Sequence, residues 1–181
     1  MSKKKAVITI LGLISTTKKN PDKTQVSEFI PKAQEDKALY EVEENLKSLL
    51  NPPKANYINM FPLLVDTFQD RKIVAISTTQ SEKIQKDVLI FENLSHTNIE
   101  YKSINENEDY HSTFATINQV LNDYDKVIID LSHGFRHFPL LTLIALLVQN
   151  IKDTDKIEAI LFAQEIEKDK KYKIINLIEY L

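Results

Sequence analysis

The sequence predicts an α/β domain with a mostly parallel central sheet, helices on both faces and a C-terminal β-hairpin. Two observations carry this. Short β-branched apolar runs recur along the chain, at Ala6–Leu11, Lys72–Ser77, Lys126–Leu131 and Ile157–Ala163, without the period-2 alternation of a half-exposed strand. Segments with helical spacing separate them, which is the pattern of parallel strands joined by crossover helices. The 181 residues suit a single domain spanning 1–181, long enough to bury a sizeable core.

Taken in order, Ala6–Leu11 is a strand buried on both faces, closed by Gly12. Thr17–Glu28 is polar and reads as a loop. Leu39, Val42, Leu46 and Leu49 recur at helical spacing, and Pro52 ends that helix at Asn51. Tyr57–Met60 is a short strand, and Pro62 opens a helix that runs to about Phe68. The strand Lys72–Ser77 follows. Thr79 and Glu82 form a Thr-x-x-Glu capping pattern for a helix whose apolar face is Ile84, Val88 and Phe91. Ile99–Ile104 is a strand, and Phe114, Ile117 and Leu121 mark an amphipathic helix after Asp109. The buried strand Lys126–Leu131 leads to a long apolar helix over about Phe135–Asn150. The strand Ile157–Ala163, a charged turn at Glu167–Lys171 and an antiparallel strand Tyr172–Ile178 complete the chain.

Composition excludes several functions. Lys+Arg is 23 and Asp+Glu 26, a formal net charge of −3, which disfavours general duplex nucleic-acid binding. There is no cysteine, so disulfides, thiol catalysis and Cys-ligated zinc are excluded and a cytoplasmic location fits. The apolar stretch Phe138–Val148 is too short to span a bilayer, and Lys3–Ile14 lacks a signal-peptide cleavage site, so no membrane partner is expected.

Ligands in such folds bind beyond the carboxyl ends of the strands. Three loops converge there: Gly12–Thr17, Ser77–Ser81 and Asp130–His137. The last is the densest. Asp130-Leu131-Ser132-His133-Gly134-Phe135-Arg136 holds one of two glycines and one of two arginines, at a strand-to-helix junction where free N–H groups and the helix dipole favour an anion. Ser132 and His133 can donate to phosphate or ribose oxygens, Gly134 lets a ligand approach the backbone, and Arg136 can pair with phosphate. The same residues also suit a structural role, with Asp130 capping the helix, Arg136 answering it and His133 buried and satisfied. Gly12, Ser15 and Thr16 suit phosphate or ribose contact, as do Thr78, Thr79 and Gln80, one of whose threonines caps the helix. Neither a Gly-x-Gly-x-x-Gly fingerprint nor a Walker loop is present, so no cofactor is expected. His133 and His137 lack a His-Glu-x-x-His frame, so no metal is expected.

The motif Asp130-Leu131-Ser132-His133-Gly134-Phe135-Arg136 resembles that of the CRISPR-associated CARF family of the DxTHG type, with Ser132 in place of threonine. Phe138-Pro139-Leu140-Leu141, the first strand with its Gly and hydroxyl loop, and Ile73–Thr79 are similar as well. The resemblance implies a Rossmann-like domain that forms a homodimer and binds a cyclic oligoadenylate, the second messenger of type III CRISPR antiviral defence, with cyclic tetra-adenylate favoured. It further implies a metal-independent ring nuclease, with Ser15, His133 and Arg136 as candidate catalytic residues and Lys18 in support. Two alternatives stay open: a non-catalytic sensor domain of a longer or partnered effector, and an unrelated α/β enzyme acting on a nucleotide or sugar phosphate. Neither Arg71 nor Arg136 has a histidine at the Arg-x(4–6)-His spacing of the family's nuclease domains.

Overall fold

The computed structural model describes residues 4–12, 18–19, 25–26, 37–95, 97–104, 110–132 and 155–180. In chain order the elements are β1 (Lys5–Ile10), β2 (Lys18–Lys19), β3 (Gln25–Val26), β4 (Ala38–Val42), β5 (Asn56–Tyr57), α1 (Met60–Thr67), β6 (Lys72–Ser77), α2 (Thr79–Phe91), β7 (Ile99–Ser103), α3 (Tyr110–Asn122), β8 (Lys126–Asp130), β9 (Ile157–Glu167) and β10 (Lys171–Asn176). Single 3-10 turns lie at Glu44–Leu46 and Leu177–Tyr180.

One eight-stranded sheet orders these strands β5-β4-β10-β9-β8-β1-β6-β7. β1 lies parallel between β6 and β8, which in turn pair in parallel with β7 and β9. Counted from β1, these five strands run 3-2-1-4-5, the order of a Rossmann-like doubly wound half. β10 returns antiparallel to β9 as the expected C-terminal hairpin, and β4 and β5 extend the sheet beyond it.

The apolar runs lack alternation because both faces are covered. Val7, Ile73, Ala75, Ile128 and Leu161 join one core with α1 and with Leu89 of α2. Ala6, Ile8, Ile10, Val74, Ile76, Val127, Ile129 and Ile160 join the other with Ile117, Val120 and Leu121 of α3. Successive side chains of a strand point to opposite faces, so every position meets a core.

Several expectations are corrected. The segment 39–49 is no helix: Ala38–Val42 pairs with β10 as a strand, followed by one 3-10 turn. Ala38 and Tyr40 bury while Leu39 is only half-buried, a period-2 pattern set by strand pairing, which overrides a short helical match. The Tyr57–Met60 strand is confined to Asn56–Tyr57, because Asn59 caps α1 by accepting from Phe61 N–H at 2.9 Å. α1 therefore starts two residues before Pro62, which still lies in the first turn, where its missing N–H costs nothing. The cap of α2 is Thr78, not Thr79, with Ser81 completing the box. The polar loop after residue 17 contains the antiparallel pair β2–β3. β7 stops at Ser103. β9 runs four residues past Ala163, and β10 ends at Asn176, whose Oδ1 accepts from Ile160 N–H at 3.0 Å and from Ile178 N–H at 3.2 Å, turning the chain. The predicted helix over 135–150 lies outside the described residues.

At the amino edge, the buried Arg71 guanidinium pairs with Glu158, the bulged residue at the start of β9, and stacks 5.6 Å over the Phe68 ring. This ties β9 to the β6 side of the sheet. Arg71→Ala is expected to destabilise the domain by about 2–3 kcal/mol, since it strips a half-buried carboxylate of its partner. It should leave ligand binding at the opposite edge unchanged; urea melts and a binding titration check both parts.

Candidate functional site

The carboxyl ends of β1, β6, β8 and β9 lie side by side, and the chain reverses its direction of winding between β1 and β8. That switch point is where a doubly wound sheet opens a crevice for ligands. The register places Thr9 beside Asp130 on one side and Ala75 on the other. Beyond this level Leu11 N–H still reaches Ile76 O at 2.8 Å, and then the strands part at Gly12.

Asp130 is fully buried, and both its oxygens are engaged within the protein. Oδ2 accepts from the Thr9 hydroxyl at 2.8 Å and Oδ1 from Ser132 N–H at 3.0 Å. Ser132 Oγ in turn accepts from Ala163 N–H at 2.8 Å. The start of the loop after β8 is thus tied to β1 on one side and β9 on the other. Charge-assisted bonds of this kind are stronger than neutral ones, so this loop starts from a rigid base.

β9 continues for six residues past Leu161, the partner of Asp130, about 20 Å at strand spacing. With β10 and β4 it stands beyond the loop edge as a wall. Tyr40 of β4 stacks on Tyr172 of β10 at 5.2 Å. Burial pushes the Tyr40 phenol far above its ordinary range, and the neighbouring Tyr172 and Asp130 add to this, so it stays a neutral, packed group.

The third loop is the N-terminus of α2. Thr78 is buried and committed to the cap, its Oγ1 accepting from Ser81 N–H at 3.2 Å. Thr79 and Gln80 are exposed in the first turn. Ser77 Oγ is buried at the end of β6 with no hydrogen-bond partner among the described residues. Gly12 sits next to this turn and its carbonyl accepts from Gln85 Nε2 of α2 at 3.1 Å.

Of the candidate residues, the structure therefore gathers Gly12, Thr78, Thr79, Gln80, Asp130 and Ser132 at one edge. Ser15, Thr16, His133, Gly134, Phe135 and Arg136 lie outside the described residues; by chain order they directly follow Gly12 and Ser132. Among the described residues no three His, Asp or Glu side chains gather so as to hold a metal ion. No helix among them is long and apolar enough to cross a membrane.

A family model described as "CRISPR system endoribonuclease Csx1, CARF domain" matches residues 2–176. The chain belongs to this CARF family. No curated protein matches it. Among solved structures, the CARF chain is similar to Enterococcus italicus Csm6 bound to cyclic hexa-2'-fluoro-hexa-dAMP, at 12% identity and a TM-score of 0.48. That likeness covers 94% of this chain and 36% of the Csm6 chain, so the chain spans about a third of that protein's length.

Sequence reasoning missed three residues that shape this CARF site: Thr9, Gln85 and Asn59. Two signals were present. Thr9 is the one polar residue in the run Ala6–Leu11. Gln85 falls three residues before Val88 and next to Ile84, on the buried side of α2. A polar residue on an apolar face needs a buried partner.

Proposed function

We propose that this CARF chain binds a cyclic oligoadenylate, cyclic tetra-adenylate by preference, across the two-fold axis of a cytoplasmic homodimer, and opens the ring slowly without a metal. The observation that carries the reading is the family match over residues 2–176; Asp130 and Ser132 lie at the switch point of the sheet, Asp130 bonded to Thr9 of β1. Family membership also sets aside an unrelated sugar-phosphate enzyme. A ring of repeated phosphates and riboses needs N–H donors, hydroxyls and a few cations, which a net acidic protein supplies from one local pocket. A two-fold axis gives each subunit the same loops.

Ring opening needs one ribose 2'-oxygen to attack the adjacent phosphorus in line. The bond from phosphorus to the 5'-oxygen breaks, the 2'-hydroxyl gives up its proton and the leaving 5'-oxygen gains one. The products are a 2',3'-cyclic phosphate and a free 5'-hydroxyl. The protein's part is to hold that alignment and to stabilise charge building on the phosphate oxygens. In this reading Arg136 pairs with a phosphate, Ser15 and Thr16 orient the reacting ribose, and His133 moves a proton, its ordinary pKa of ~6.5 suiting that task.

Arg136→Ala is expected to weaken ring binding about thirtyfold, the loss of one charge-assisted contact. His133→Ala should slow cleavage about a hundredfold with little change in affinity, and Ser15→Ala should also act on cleavage more than on binding. Incubation of excess protein with cyclic tri-, tetra- and hexa-adenylate in EDTA, with chromatography of the products and a parallel binding titration, tests the whole reading. Linear products ending in 2',3'-cyclic phosphate support it. Tight binding with an intact ring establishes the second reading, a pure sensor module, which the family's description as a domain of an endoribonuclease favours. No binding by any ring removes both.

A further inference from the structure

The Gly12 carbonyl is held from outside its own strand by a relay of two buried amides. Gln85 Nε2 donates to it at 3.1 Å. Gln85 Oε1 accepts from Asn59 Nδ2 at 3.1 Å, and Asn59 Oδ1 accepts from Phe61 N–H at 2.9 Å. Both side chains are buried. The backbone groups at the two ends dictate which way round each amide lies. Phe61 offers only a donor, so Asn59 must turn its oxygen there and its nitrogen to Gln85. Gln85 must then turn its own nitrogen to Gly12.

Packing alone does not call for an amide at this position. Ile84, Val88 and Leu89 already supply the buried apolar face of α2, and a leucine would bury more apolar surface. Among the described residues, the Gly12 carbonyl, just past the last inter-strand bond of β1, is the group of the candidate site that the relay reaches. A hydrogen bond to that carbonyl restrains the backbone of Gly12 just where the strand's own ladder stops.

We infer that Gln85 is a positioning residue of the ligand site: by holding the Gly12 carbonyl it fixes the backbone of Gly12, a candidate ligand contact, at the point where β1 ends. This rests on the cyclic oligoadenylate reading above. It also makes the α1 cap and the site interdependent, since Asn59 serves both.

The two glycines give a direct readout. Gly12 and Gly134 are the only ones in the chain, so protein labelled with 15N-glycine shows one amide signal from the first loop and one from the loop after β8. Three forms are compared: the native chain, Gln85→Leu and Gln85→Glu. For Gln85→Leu, the Gly12 signal should move while Gly134 stays in place, and affinity for cyclic tetra-adenylate should fall about tenfold, the scale of one lost buried hydrogen bond. Gln85→Glu should bind equally poorly at pH 8 and recover as pH falls towards 5. The protonated carboxyl can donate to the Gly12 carbonyl while still accepting from Asn59; the ionised form cannot, and burial raises the pKa of such a group. The recovery is read as a ratio to the native chain and to Gln85→Leu at the same pH, so that protonation of His133 in the shared site cancels.

Native affinity in both variants with an unmoved Gly12 signal would overturn the inference. So would a loss of affinity that moves both glycine signals alike and does not recover at low pH, because that is the signature of general destabilisation. If the native chain binds none of the three rings, the functional reading falls instead. The Gly12 signal in Gln85→Leu and its pH dependence in Gln85→Glu still decide whether Gln85 holds the backbone at Gly12.

Discussion

Replacing Asp130 with alanine is expected to destabilise the domain by about 3 kcal/mol and to abolish detectable ring binding. The carboxylate is fully buried, and it satisfies the Thr9 hydroxyl and the Ser132 N–H together. Alanine leaves the buried Thr9 hydroxyl and the part-buried Ser132 N–H without an acceptor, and each such loss costs about 1–3 kcal/mol. It also frees the loop that the family motif occupies, so binding should suffer beyond what stability explains. The isosteric Asp130→Asn separates these effects. Its oxygen can still face Ser132 N–H, and its nitrogen can donate to Thr9 Oγ1, a hydroxyl that accepts as well as donates. About 1 kcal/mol is expected for this variant, with binding largely kept. Urea denaturation and a titration with cyclic tetra-adenylate measure both quantities. Equal behaviour of the alanine and asparagine variants would show that Asp130 does not act through these two bonds.

Glu92→Ala is the other large effect, at about 3–5 kcal/mol and roughly 10 °C in Tm. Glu92 follows the last residue of α2, and its side chain is wholly buried. Oε2 pairs with Lys37 at 2.6 Å and Oε1 accepts from Ile58 N–H at 2.9 Å. Lys37 is itself nearly buried and lies 5.5 Å over the Phe91 ring. Removing the carboxylate strands a buried ammonium and a backbone N–H at once. Replacing both charges, Lys37→Met with Glu92→Gln, keeps an acceptor for Ile58 and removes the need for a counter-charge. The double variant should recover most of the loss, because a buried ion pair contributes little net stability even though breaking it is costly. A double variant as unstable as Glu92→Ala would show that the ion pair itself holds the chain before β4 to the end of α2.

How far the fold could be read from the chain depended on what set each element. β1, β6 and β8 bury both faces, so an unbroken β-branched run marks them and their boundaries fall within a residue of expectation. β4 failed for the opposite reason. Its strand character comes from β10 alongside it, some 130 residues later in the chain, and no local pattern carries a partner that distant. Its Leu and Val spacing matched a helix by coincidence of period. The cap of α2 slipped by one residue because Thr78, Thr79 and Ser81 all offer hydroxyls, and only the backbone geometry chooses among them.

The candidate site divides along the same line. The chain alone was enough to establish an α/β domain, the strand-to-loop junctions at Gly12, Ser77 and Asp130, and the specific motif from Asp130 to Arg136. Those features are local: runs of residues, scarce glycines, a strand meeting a loop. The tertiary structure decided that Asp130 turns inward to Thr9 and Ser132, that Ser132 ties to Ala163, and that Gln85 and Asn59 reach Gly12. These are buried and part-buried hydrogen bonds between segments up to 121 residues apart. A buried donor must find an acceptor, but which one it finds is fixed by how the strands and helices pack, not by its neighbours in sequence.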